Sequence, residues 1–173
     1  MQVLNFRIIV SQCTRSGNTT HLLGRNLMDQ YQAHQSPPLS IRSDHPDVIA
    51  PDGSEIRLLI NDQHSAVTAS MVEVTLLAGQ TSKPVWHRNV EEIWYVLDGR
   101  GQVWRCGPDE DPESVSGIHV SKGDSFVIPV LWSFQFSADV SENLVILCFT
   151  SPAWPGDDEA QASDVGGLGP PNI

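Results

Sequence analysis

The chain has few cysteines and no cysteine motif. Its 173 residues contain only three, Cys13, Cys106 and Cys148, which are far apart in sequence. Without a C-x2-C pair, neither a zinc site nor a dithiol redox centre is predicted from them. Cys106 and Cys148 lie inside apolar runs, where cysteine behaves as a small buried hydrophobic residue. We therefore expect free structural thiols and a cytoplasmic protein, because a reducing compartment keeps thiols unpaired.

Basic residues and long apolar runs are also scarce. Lys and Arg number 10 against 21 Asp and Glu, which gives a formal net charge of −11. A chain of this sign repels the phosphates of nucleic acids and anionic membranes, so neither is an expected partner. No stretch approaches the roughly 20 apolar residues that span a bilayer. The short apolar segment at residues 6–10 lacks the core and cleavage site of a signal peptide.

What the chain does contain is a series of short strand-like runs. They are rich in Val, Ile, Leu and aromatic residues and are separated by Asp-Gly, Ala-Gly, Lys-Gly-Asp and Pro turns. Many short strands with almost no helical periodicity predict an all-β sandwich or barrel. The predicted strands are 56–60, 70–77, 92–97, 101–105, 119–121, 125–128 and 144–149. Asp98-Gly99 predicts a tight hairpin between two of them.

The two ends of the chain differ from this central part. Residues 1–45 are predicted to be an extension and linker, disordered or partly helical, since apolar residues in 21–31 recur at helical spacing. Residues 161–173 are rich in Gly and Pro and are predicted to form a flexible tail. Because 173 residues suit one domain better than two, residues 46–160 are predicted to be the single folded barrel.

Residues 79–101, GQTSKPVWHRNVEEIWYVLDGRG, contain the motif that is most informative about function. They follow the frame G-x5-H-x-H-x(3,4)-E-x6-G: Gly79, His87, Glu92 and Gly99 occupy their places, and Val85 stands at the first histidine. This stretch resembles the first signature of the cupin superfamily.

A second stretch extends the resemblance. The second cupin signature is G-x5-P-x-G-x2-H-x3-N, and Gly123 and Pro129 fit its start. Phe134 then stands at the place of its histidine. The chain is thus similar to a small single-domain cupin with a degenerate metal-binding motif. That resemblance implies a cupin-type antiparallel β-barrel, also called a double-stranded β-helix or jelly roll, which holds a small organic molecule.

The resemblance also implies a metal centre, although only part of its ligand set is present. Residues two apart on a strand share a face, so the inward positions are Val85, His87, Glu92 and Phe134. His87 and Glu92 are the candidate ligands of a divalent transition metal, and the set is incomplete. Gln135 would reach it only through a bulge, because strand parity places it on the opposite face. His64 is a further candidate helper from a loop.

Without a metal, His87 and Glu92 form a candidate catalytic pair. A buried imidazole and carboxyl group that can hydrogen-bond suit general acid and base roles in isomerase, cyclase or lyase chemistry. The candidate ligand-binding residues around them are Val85, Trp94, Phe134 and Gln135. The alternative, a non-catalytic ligand-binding or regulatory barrel, stays open, as does the alternative that Trp94 only fills the core.

An outward-facing apolar surface predicts a partner. On the same strand parity, Trp86, Ile93 and Tyr95 face away from the barrel interior, and a broad apolar outer face needs a cover. Cupins commonly pair through such faces, so the resemblance implies a homodimer.

Overall fold

Eleven β-strands lie within residues 36–173, the part of the chain that this computed structural model describes. They are β1 (Val48–Ile49), β2 (Glu55–Ile60), β3 (Ser70–Leu76), β4 (Val85–His87), β5 (Glu91–Asp98), β6 (Arg100–Cys106), β7 (Ile118–Ser121), β8 (Ser125–Ile128), β9 (Ser133–Ala138), β10 (Leu144–Ser151) and β11 (Ala160–Ala162). The predicted N-terminal helix lies outside the described residues. Within them, no helix is long and apolar enough to cross a membrane.

The strands form two antiparallel sheets. A six-stranded sheet has the order β1-β2-β3-β10-β5-β8, and a five-stranded sheet has the order β11-β4-β9-β6-β7. Inward side chains of both sheets meet in one hydrophobic cluster that includes Val74, Trp94, Phe136 and Ile146. The predicted all-β, cupin-type barrel is therefore confirmed.

Alternation of polar and apolar residues explains the strands around the core. In β5, Glu92, Trp94 and Val96 are buried, whereas Ile93 and Tyr95 between them are exposed. Successive side chains of a strand point to opposite faces, so a period of two places one set in the core. The strand predicted at 125–128 has those bounds in the structure, and the one predicted at 70–77 ends one residue earlier.

The predicted hairpin at Asp98-Gly99 is wrong. β5 ends at Asp98 and β6 begins at Arg100, but the two strands enter different sheets instead of pairing. Gly99 has a φ of +76°, and a Cβ there would lie 1.8 Å from the carbonyl oxygen of Asn143. The glycine is needed because the chain turns a corner against another backbone segment, not because it closes a two-stranded ribbon.

The predicted outer face that combines Trp86 with Ile93 and Tyr95 is also wrong. Trp86 lies on β4 in the five-stranded sheet, whereas the other two lie on β5 in the six-stranded sheet. The six-stranded sheet instead carries an apolar row across four strands, with directly opposed residues on its outer face. This row consists of Met71, Phe149, Ile93 and Val127.

The C-terminal segment, predicted to be a flexible tail over residues 161–173, contacts the barrel in residues 163–173. They lie over the five-stranded sheet, where the Gln135 amide donates to the carbonyl oxygen of Gly169 and accepts from the Leu168 N–H, both at 2.9 Å. A Cβ on Gly167 would lie only 2.1 Å from the Trp104 ring. Glycine, usually a sign of flexibility, here permits close approach to a buried indole.

Candidate functional site

His87 and Glu92 reach the barrel interior from different sheets. His87 ends β4, and Glu92 is the second residue of β5. Both are buried, with exposed fractions of 3% and 7%. Val85 and Phe134 lie directly opposite each other on β4 and β9, and both are buried as well. The sequence therefore brings the four predicted inward residues to the barrel interior.

The two polar groups face each other without a hydrogen bond. Nδ1 of His87 lies 3.9 Å from Oε1 of Glu92, beyond hydrogen-bonding range. The other carboxyl oxygen, Oε2, accepts a hydrogen bond of 2.8 Å from Nε1 of Trp94. Among residues 36–173, His87 Nδ1 has no hydrogen-bond partner. A polar atom about 2.8 Å from both Nδ1 and Oε1 would bridge the two groups. This distance is the usual length of an O–H···O hydrogen bond and is close to that of an N–H···O bond.

Burial moves the two pKa values in opposite directions. Removal from water lowers the pKa of His87 to about 4, and the Glu159 carboxylate opposes this only in part. Removal from water raises the pKa of Glu92 to about 7, against the effects of Trp94 and Cys148. Between these values His87 is neutral and Glu92 is protonated, so the pair is not an ion pair despite its short separation.

Aromatic rings fill the barrel beside this pair. Trp94 is 2% exposed and packs against Phe134 and Phe136, with ring centroids 5.7 Å and 5.0 Å away. Phe134 in turn lies edge-on to His87 at 5.1 Å. Trp94 thus belongs to the hydrophobic core, and its only polar atom is used to hold Glu92. Together with Val85, these rings close the inner side of the site.

Trp154 covers the outer side of His87, and the motif did not point to it. Its ring lies 5.1 Å from the imidazole with an interplanar angle of 82°, and the residue is 37% exposed. It follows β10 in the segment Ser151-Pro-Ala-Trp-Pro-Gly. A tryptophan between prolines in a loop was the available sequence signal, but nothing in the motif spacing links it to His87.

Glu159 is a second residue that the motif did not reveal. It is 2% exposed and accepts hydrogen bonds from the backbone N–H groups of Asn89 and Val90, at 2.5 Å and 2.7 Å. Burial opposes its ionisation, but these bonds outweigh burial and lower its pKa. Its carboxylate thereby fixes the chain that follows His87.

The donors around His87 do not fit a metal centre. Gln135 is on the opposite face and binds the C-terminal segment, as strand parity requires. His64 lies in a short 3₁₀ turn, where its Nδ1 is 2.8 Å from the Asn61 side chain. Residues 36–173 contain no cluster of three or more His, Cys, Asp or Glu side chains suited to a metal ion. Two ligands backed by Val85 and Phe134 are too few for a selective site.

Two of the solved structures with the same fold belong to larger proteins. CapF, a capsular polysaccharide assembling protein of Staphylococcus aureus, superposes with a TM-score of 0.57 at 16% identity, over 73% of this chain and 34% of that one. Oxalate decarboxylase of Bacillus subtilis, a protein with Mn(II) centres, gives 0.56 at 17% identity, over 69% and 30%. The chain spans about a third of each, and the likeness extends to the fold alone.

Sequence comparison places the chain in a family. MJ1618, an uncharacterized protein of Methanocaldococcus jannaschii, is 31% identical over 111 residues, which cover 64% of this chain and 82% of that protein. The profile of the cupin family matches residues 40–162, a range that includes both signatures, His87 and Glu92. The chain belongs to the cupin family.

Proposed function

We propose that this cupin binds a small organic molecule between His87 and Glu92, and that this pair acts on it as base and acid. The observation that carries the proposal is the buried Nδ1 of His87, which has no hydrogen-bond partner among residues 36–173. A buried polar atom without a partner costs about 1–3 kcal/mol, so such atoms are rare away from functional positions. A bound polar group at this position removes that cost.

The protonation states suit proton transfer near pH 6. The neutral imidazole accepts a proton at Nδ1, and the protonated carboxyl group of Glu92 donates one from Oε1, which lies 3.9 Å away. Burial reverses the usual order of the two pKa values, so that of the carboxyl group is now the higher. The imidazole can therefore act as the base and the carboxyl group as the acid. Positioned acids and bases contribute about 10²- to 10⁴-fold to a rate. Isomerisation, cyclisation and elimination need no other chemistry from the protein.

A non-catalytic binding barrel is the second candidate, and the packing of the interior favours it. Val85, Trp94 and Phe134 are all less than 5% exposed, so they leave little freedom for a reacting substrate on the inner side. In this alternative, His87 and Glu92 recognise the ligand and transfer no proton.

Two conservative variants separate these functions. A panel of uncharged lactones, enols and phenols is screened by ligand-observed NMR against the wild type, His87→Gln and Glu92→Gln. His119→Gln is the control, because His119 is exposed on β7. We expect His87→Gln to lose binding and His119→Gln to keep it. Turnover of a bound compound that disappears in Glu92→Gln while binding persists supports catalysis. Binding that is equal in His87→Gln and the wild type contradicts both candidates.

We also propose that the protein is a cytoplasmic homodimer. The apolar row has Ile93, Phe149 and Val127 exposed by 46%, 41% and 37%, and four directly opposed apolar residues form a continuous strip. A second copy that presents the same uncharged strip buries it around a two-fold axis. Cys106 and Cys148 are free and buried, which suits a reducing compartment. In sedimentation experiments the wild type should be a dimer and Ile93→Lys a monomer. The same mass for the wild type and Ile93→Lys contradicts dimerisation through this face.

A further inference from the structure

We propose that the indole of Trp154 occupies the ligand's place over His87, and that a planar, uncharged aromatic molecule enters the site by displacing it. This inference rests on the proposed binding at His87 and Glu92, and it names the ligand class and the side chain that controls access.

His87 contacts two aromatic rings. Phe134 and Trp154 both lie edge-on to the imidazole, with ring centroids at 5.1 Å and interplanar angles of 76° and 82°. Such T-shaped contacts stabilise a pair of rings beyond the effect of burial. The imidazole surface that Trp154 covers therefore already accepts an aromatic ring.

Among the side chains that surround His87 and Glu92, Trp154 is the exposed one. The other walls, Val85, Trp94 and Phe134, are each less than 5% exposed, whereas Trp154 is 37% exposed. Displacing a core ring would open a cavity, which costs several kcal/mol. Rotating a partly exposed indole costs only its contacts with the imidazole and its neighbours. Access to His87 is therefore easiest on the Trp154 side.

Hydrogen bonds fix the backbone of Trp154, whereas an open cavity lies beside this segment. Its backbone N–H donates to the Ser70 hydroxyl at 3.1 Å, and that hydroxyl is 2.5 Å from the Thr150 hydroxyl. Next to this segment is an open cavity of about 500 Å³, lined by Arg88, Asn89 and residues 155–159. A rotation of the indole alone into this space uncovers His87 without breaking those hydrogen bonds.

The surroundings define the molecule that takes the indole's place. A flat ring reproduces the edge contact with the imidazole, and one hydrogen-bonding group reaches the unpartnered Nδ1 of His87. Asp157, Asp158 and Glu159 line the neighbouring cavity, so an anionic molecule is repelled there. An uncharged heteroaromatic or phenolic molecule meets both requirements.

Chemical modification tests access without any ligand. Diethyl pyrocarbonate acylates accessible neutral imidazoles, and peptide mass spectrometry measures the rate at His87 relative to the exposed His119 of the same sample. We expect Trp154→Ala to raise the relative rate at His87 at least about tenfold, as removal of a local cover should. Trp154→Phe keeps a ring and should stay near the wild-type rate. Tyr95→Ala is the matched control, since Tyr95 is an aromatic residue that is 44% exposed and lies outside the apolar row.

Indole tests the class of ligand. Calorimetry with indole should detect millimolar or tighter binding to Trp154→Ala. Binding to Tyr95→Ala and to the wild type should be at least about tenfold weaker, because the indole side chain of Trp154 competes in both. Cyclohexanol, similar in size but not planar, should bind Trp154→Ala more weakly than indole. Equal binding of indole by Trp154→Ala and Tyr95→Ala overturns the inference, as does an unchanged rate of His87 acylation.

A second variant keeps the test valid if Trp154→Ala does not fold. Trp154→Leu retains most of the apolar contact and removes the ring, and it should give an intermediate acylation rate and measurable indole binding. The same acylation rate as in the wild type overturns the inference. Failure of the proposed function looks different: His87→Gln then leaves ligand binding unchanged, whereas His87 access in Trp154→Ala still rises.

Discussion

Gln135 and His87 are both buried polar side chains, with exposed fractions of 0% and 3%, but their surroundings differ. The Gln135 amide donates to the carbonyl oxygens of Ser82 and Gly169 and accepts from the Leu168 N–H, all at 2.9 Å. His87 Nδ1 has no such partner among residues 36–173. The same strand alternation that turns Phe134 inward turns Gln135 outward, toward the C-terminal segment.

This difference separates a structural polar group from a functional one. A buried amide whose hydrogen bonds are all made stabilises the fold, because each bond replaces one lost from water. A buried imidazole that lacks a partner lowers stability and is retained where binding or chemistry uses it. Gln135 thus binds the protein's own backbone, whereas the proposed role of His87 is to bind another molecule.

The largest expected effect is a pH dependence of stability that comes from Glu92. Its pKa is raised from 4.5 to about 7 in the folded state, so the folded protein holds this proton more tightly than the unfolded chain. The contribution is complete below pH 4.5 and is lost as the pH rises through 7. Since His87 contributes a change of the opposite sign over nearly the same pH range, the effect is read as a difference: the unfolding free energy of the wild type minus that of Glu92→Gln should fall by roughly 3 kcal/mol between pH 4.5 and 7. Urea unfolding at several pH values measures it.

Glu92→Gln is the matching variant, because an amide of the same shape does not titrate. Its unfolding free energy should keep the contribution of His87 and lack that of Glu92, so its pH profile should diverge from that of the wild type between pH 4.5 and 7. If wild type and variant have parallel profiles, Glu92 is not the buried acid that its surroundings indicate.

The second effect tests whether Gln135 is structural. Gln135→Leu leaves the Ser82 and Gly169 carbonyl oxygens and the Leu168 N–H without partners, so it should destabilise the fold by about 2 kcal/mol. Hydrogen exchange at the Leu168 amide should accelerate. Gln161→Leu is the control, since that side chain is only partly buried and bonds nearby carbonyl groups. An equal loss in both variants contradicts the special role of Gln135.

The smallest effect should have the opposite sign. Above pH 6.5, His87→Leu replaces an unpartnered buried polar atom with an apolar group and should stabilise the protein by about 1 kcal/mol. In the wild type, the His87 pKa is lowered from 6.5 to about 4, so the contribution of His87 to stability is lost as the pH drops through that range. The variant should lack this contribution. Destabilisation as large as that of Gln135→Leu would mean that His87 is structural.

The sequence predicted the barrel well because local patterns determine strands. In β5, alternation alone places Glu92 and Trp94 inside and Ile93 and Tyr95 outside, as observed. Which strands become neighbours depends on long-range packing, and for that reason Asp98-Gly99 was taken for a hairpin. Its glycine responds to the backbone of Asn143, which is 44 positions later than Gly99 and leaves no trace in the local pattern.

The site was predicted only where the motif has a fixed frame. His87 and Glu92 follow from the spacing, and Val85 and Phe134 follow from the same frame. Trp154 and Glu159 both come from the segment between β10 and β11, and β11 pairs with β4, so only the tertiary structure brings them to His87. The contacts of Gly167 and Gly169 in the C-terminal segment did not follow from the sequence, because composition cannot distinguish a glycine that permits motion from one that permits contact.

The position of β10 in the six-stranded sheet has a consequence for biosynthesis. β10 lies between β3 and β5, although residues 144–151 follow both by more than 45 positions. Until residues 144–151 have left the ribosome, β3 and β5 each lack β10 as a neighbour and expose the unpaired edge that β10 later covers. The barrel therefore closes late in synthesis, and a chain truncated before β10 should aggregate instead of folding in part.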